Sequence, residues 1–104
     1  MQATRLLAVG EIALVEMPRP EPLPGEVLIR VQAAGICGTD VTFTKVGGVA
    51  GPTPEPFTLG HELAGTVAEV GREVQGIRPG DRVIVNPMGD GNGIGNGAPW
   101  GGAF

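Results

Sequence analysis

Two short strings hold the residue types in this chain best suited to chemistry. The first is Ile36-Cys37-Gly38-Thr39-Asp40 and the second begins Gly60-His61-Glu62. Cys37 is the only cysteine and His61 the only histidine. A deprotonated thiol and a neutral imidazole are the side chains that zinc prefers, and a catalytic zinc takes three protein ligands and keeps a fourth position open. Glu62 sets a carboxylate beside the imidazole, where it can bind the same ion or support the ring. A lone histidine is more often a satisfied structural residue, and a lone cysteine is usually a small buried hydrophobe. The surrounding pattern favours the ligand reading. His61 opens a run spaced G-H-E-x2-G-x5-G-x2-V, from Gly60 to Val74. Gly60 gives backbone room to approach a metal, and Gly65 and Gly71 read as breakers around the β-branched stretch Thr66-Val67-Ala68-Glu69-Val70.

The two strings are far apart in the chain, so the fold must bring them together. Arg5–Val9 reads as a short strand closed by Gly10, and Ile12–Met17 as a second. Pro18, Pro20, Pro22 and Pro24 then alternate with other residues and enforce an extended connector. Leu23-Pro24-Gly25-Glu26 carries the signature of a type II turn, and Val27–Gln32 follows as the clearest strand, with Val27, Ile29 and Val31 on one face. Arg78-Pro79-Gly80-Asp81 repeats the turn and Arg82–Val85 the strand, so the two read as similar hairpin entries. Thr39–Lys45 is expected to form one short helical turn, and 47–56 a Gly/Pro loop. No long amphipathic helix is visible. The reading is mainly β: a small, partly open β-barrel with one or two short helical turns.

At 104 residues the chain is read as a single domain, 1–104. Its 19 glycines and 10 prolines could signal disorder, but the glycines are densest between Gly89 and Gly102, and the 41% hydrophobic content argues for a core. With 7 basic and 11 acidic residues and no basic patch, nucleic acid is not an expected partner. One cysteine excludes an internal disulfide and a four-cysteine zinc site within this span. No stretch has the length and apolarity of a membrane span, and a reduced, cytoplasmic setting is the default expectation. Gly93-x-Gly95-x-x-Ala98 loosely matches a dinucleotide-binding fingerprint, but Pro99 and two further glycines follow where a helix should open, so a flexible loop is expected from Gly89 to Gly97.

The Gly60–Val74 motif, together with Cys37-Gly38-Thr39-Asp40, resembles the zinc-dependent medium-chain alcohol and polyol dehydrogenases. The resemblance implies that the chain is the GroES-like N-terminal catalytic domain of such an enzyme. It implies zinc held by Cys37 and His61, with Glu62 as the motif's carboxylate beside the metal. Thr39 would relay the substrate's proton, and Asp40 would orient the His61 imidazole. The substrate would be a small-molecule alcohol or polyol. NAD or NADP would be bound by a Rossmann domain outside these residues, and the complete enzyme would be a homo-oligomer. Three positions depart from common family patterns. Thr42 stands where many relatives end the relay in a histidine. Gly38 replaces an arginine found in some alcohol dehydrogenases and points toward the polyol branch. A Gly/Asn stretch takes the place of a four-cysteine zinc lobe.

Two rival readings remain at this point. A zinc-free reductase of the same superfamily would have no use for Cys37 and His61 together. A free-standing GroES-like barrel acting as a binding or co-chaperonin module shares the fold but would assemble into a ring. On the dehydrogenase reading, the isolated chain is expected to be inactive, to hold zinc weakly or not at all, and to self-associate through uncovered faces.

Overall fold

The computed structural model describes residues 1–87, so the loop expected at Gly89–Gly97 lies outside the described residues. Strands β1 (Gln2–Ala8), β2 (Glu11–Glu16), β3 (Val27–Gly35), β4 (Phe57–Thr58), β5 (Glu62–Val70) and β6 (Arg82–Ile84) are joined by a helix, α1 (Gly38–Val46). They form two three-stranded antiparallel sheets, ordered β2-β1-β4 and β3-β5-β6. Among the described residues neither sheet closes on itself, which agrees with the mainly β, partly open GroES-like architecture.

The alternating prolines carry the chain from the first sheet to the second without regular structure over 17–23. Both expected turns are present. Glu26 N donates to Leu23 O (2.9 Å) and Asp81 N to Arg78 O (3.1 Å). In each turn the closing carboxylate also accepts from the first residue's backbone, Glu26 from Leu23 N (3.1 Å) and Asp81 from Arg78 N (2.9 Å). Gly80 has φ 94°, as a type II turn requires, whereas Gly25 does not have positive φ, so the first turn is of another type. Only the second turn belongs to a hairpin-like unit, because β6 pairs with the preceding β5, while β3 pairs with β5 across the chain.

Gly65 and Gly71 act differently from the expected pair of breakers. Gly65 lies inside β5 opposite Val31, and a Cβ there would collide with the Arg30 carbonyl. Here glycine permits a close backbone approach within a strand. Gly71 ends the strand by docking on the proline connector: its N–H donates to Glu26 O (2.7 Å), Glu73 N donates to Pro24 O (2.8 Å), and a Cβ on it would overlap the Leu23 and Pro24 carbonyls.

The β3–β5 ladder carries two irregularities that cancel. Between Leu28 and Ile29 the partner skips from Glu69 to Val67, leaving Ala68 as an extra residue on β5. Between Val31 and Ala33 the extra residue is Gln32, on β3. One extra residue on each strand restores the original offset, and the ladder ends with Gly35 opposite Glu62.

The helix α1 is longer than the single turn expected, with nine residues, or about two and a half turns. Its β-branched composition gives little intrinsic helix preference, so packing and capping must favour it. Phe43 is buried with Leu6 of β1 and Leu59, and meets Phe57 edge-on with ring centroids 5.9 Å apart. Gly47 stops the helix in the left-handed conformation (φ 81°), and Gly10 N donates to Thr44 O (2.7 Å). Thus α1 sits on the first sheet, while its N-terminus begins where β3 of the second sheet ends.

Candidate metal centre

The site lies just past the end of the β3–β5 ladder. β3 finishes at Gly35, and Cys37 is the N-cap of α1, in extended conformation (φ −89°, ψ 153°). β5 starts at Glu62, so His61 is the last residue before it. The register that pairs Gly35 with Glu62 therefore draws the two chemical strings together. One ligand atom each from Cys37, His61 and Glu62 lies within 4.8 Å of the others. Cys37 is half-buried, His61 is buried and Glu62 is exposed, so one side of the cluster opens to solvent.

Asp40 makes the arrangement rigid. Asp40 is only 5% exposed. Oδ2 accepts from Cys37 N (3.0 Å), and Oδ1 accepts from Gly60 N (3.2 Å). Oδ1 also faces His61 Nδ1 at 3.4 Å. The N-cap of α1 is Cys37, and Asp40 occupies the N3 position, from which it reaches back to the cap's N–H. One buried carboxylate thus fastens both ligand-bearing segments, a role the sequence did not reveal because Gly60 is remote from α1 in the chain.

Gly60 itself has φ 95°, a conformation that costs other residues about 1–2 kcal/mol. Its glycine is explained by the sharp turn into His61, in addition to any closeness to a metal. The Cys37 thiol donates to the Thr39 hydroxyl oxygen (3.5 Å), which places Thr39 at the cluster's edge. Thr42, at the position of the absent relay histidine, donates its hydroxyl to Gly38 O (3.2 Å) within its own helix.

The donor set fits zinc: thiolate, imidazole and carboxylate are all ligands it accepts. The carboxylate facing Nδ1 matches the support commonly given to metal-binding imidazoles.

Comparison with known proteins identifies the family. The family model for the alcohol dehydrogenase GroES-like domain matches residues 23–101. Human sorbitol dehydrogenase is 44% identical over 79 residues, 75% of this chain and 22% of that protein. A Sinorhizobium meliloti protein assigned as a zinc-binding dehydrogenase, solved with NADP bound, superposes with TM-score 0.69 at 43% identity, covering 78% of this chain and 23% of that one. An NAD-dependent alcohol dehydrogenase superposes with TM-score 0.76 at 38% identity, covering 84% of this chain and 26% of its own. The chain therefore spans about a quarter or less of the length of these relatives. With its open two-sheet fold and its motif residues gathered at one ladder end, the chain belongs to the alcohol dehydrogenase GroES-like domain family of the zinc-dependent medium-chain dehydrogenases.

Proposed function

We propose that the chain, taken as one domain over 1–104, is the N-terminal catalytic domain of a zinc-dependent, NAD(P)-linked dehydrogenase acting on small-molecule alcohols or polyols. One observation carries this reading: the ligand atoms of Cys37, His61 and Glu62 lie within 4.8 Å of one another. Cys37 supplies a thiolate, His61 an imidazole and Glu62 a carboxylate. When bound, zinc supplies Lewis-acid polarisation of the alcohol oxygen. Asp40 holds the His61 ring through Nδ1, and Thr39, beside Cys37, accepts the substrate's hydroxyl proton and passes it toward solvent. With Thr42 bonded into its helix, the relay from Thr39 runs to water.

The nicotinamide, NAD or NADP, is held by a nucleotide-binding domain outside these residues, and the complete enzyme is a homo-oligomer in a reducing, cytoplasmic setting. A thiol kept unpaired for metal binding suits such a compartment. Nucleic acid and membrane are not partners on this reading. Among the described residues, no helix is long and apolar enough to cross a membrane. The co-chaperonin alternative gains nothing from relatives that are dehydrogenases.

The test is a cobalt titration of the metal-free 104-residue chain. A thiolate-to-cobalt absorption band that grows with excess cobalt, as weak binding by the isolated chain requires, and that is lost in Cys37→Ser and His61→Ala, is expected. Absence of that band in the folded chain even at saturating cobalt would refute the metal centre.

A further inference from the structure

Gly35 ends β3 directly opposite Glu62. Its φ is not positive, so no backbone strain calls for glycine there. The space above it is more telling. A Cβ built on Gly35 would lie 3.1 Å from Glu62 Oε2 and 3.7 Å from Glu62 Cβ, and among the described residues it would meet no other group within 4 Å beyond its own chain neighbours. The volume a side chain would fill is thus claimed by one carboxylate, the one grouped with Cys37 and His61. Directly opposed residues on antiparallel strands place their side chains about 4.5–5.5 Å apart at Cβ, so any residue here would press on the Glu62 stem.

We propose that Gly35 is a positioning residue for the metal centre: its missing side chain is the slot across which the Glu62 carboxylate lies to join Cys37 and His61. This rests on the metal-centre reading above. Glu62 is exposed, and a free glutamate has many rotamers to lose when it binds an ion. Leaving one side of the strand pair empty lets the carboxylate rest toward the cluster. An alanine at 35 would shift Oε2 by a few tenths of an ångström, and a valine would fill the slot and turn the carboxylate outward. Valine also suits a strand, so the fold should tolerate the change.

The experiment compares the wild-type 104-residue chain with Gly35→Ala, Gly35→Val, Glu62→Gln and the Gly35→Val/Glu62→Gln double variant. Cobalt affinity and the ligand-field spectrum are read, with circular dichroism and melting of the metal-free proteins as controls. Gly35→Ala should weaken cobalt a few-fold and Gly35→Val about 10-fold, the lower end expected for a group supporting a ligand. The Gly35→Val spectrum should match that of Glu62→Gln, and the double variant should bind no more weakly than Glu62→Gln alone. If Gly35→Val leaves affinity and spectrum unchanged, or adds its full effect to Glu62→Gln, the proposal is wrong. If Gly35→Val does not fold, Gly35→Ala in the wild-type and Glu62→Gln backgrounds decides by the same comparison. A wild-type chain without the Cys37-dependent cobalt band overturns the metal centre itself, and this proposal with it.

Discussion

Asp40 matters most at the scale of single residues, because it is at once a helix-capping group, a backbone staple and an imidazole partner. Replacing it by alanine strands the Cys37 and Gly60 N–H groups, each costing about 1–3 kcal/mol when left unpaired away from water. Asp40→Ala should therefore lose about 2–4 kcal/mol in urea unfolding without metal, and Asp40→Asn, which keeps an acceptor oxygen, should lose less. A metal-free midpoint equal to wild type would show that the staple is energetically idle. Cys37, His61 and Glu62 were legible as candidates from residue type and motif, and Thr39 and Asp40 only through the family resemblance. The bond from Asp40 to Gly60 was not, because a contact between remote segments has no local signature. Gly35 was also missed: a glycine that leaves space for a cross-strand neighbour is indistinguishable in sequence from one ending a strand.

Among elements, the turns and the alternating strand Val27–Gln32 were legible because their chemistry is local. The helix was underestimated, since Val41, Thr42 and Thr44 argue against it, whereas Phe43 packing on Leu6 and Leu59 and the caps at its two ends argue for it. The strand β4 escaped notice because it has two residues and exists through its pairing with Arg5 and Leu6. Gly65 and Gly71 show the same limit, since each is defined by a backbone it meets from elsewhere. Gly71→Ala should cost about 3 kcal/mol or more, because the obstacles are the backbone carbonyls of Leu23 and Pro24, which cannot swing aside. Gly76→Ala provides the contrast: with open space but φ 77°, it should cost only about 1–2 kcal/mol. Thermal melts of the two variants measure the difference, and equal losses would contradict the proposed docking of Gly71.

At the scale of the whole molecule, the two sheets leave much apolar surface uncovered. Ile84 is 84% exposed, Ile36 78% and Leu14 62%. Strands β2, β3, β4 and β6 each have one unpaired edge among the described residues. Exposed apolar groups and open edges invite pairing with another copy. The 104-residue chain should therefore sediment as a concentration-dependent mixture of monomer and larger species, and should show no turnover of alcohols with NAD or NADP. A purely monomeric, active protein would overturn both expectations.

The compensating irregularities in β3 and β5 constrain how such a sequence can change in length. Ala68 and Gln32 are the extra residues, one per strand, and together they leave Gly35 facing Glu62. Losing either one alone would displace Cys37 relative to His61 by about one strand residue, roughly 3.3 Å, far more than a coordination sphere tolerates. Point substitutions on these strands can accumulate singly. Insertions and deletions between Val27 and Val70 are tolerable only in the loops or as matched pairs, so the ladder works as a ruler whose length is held jointly by both strands.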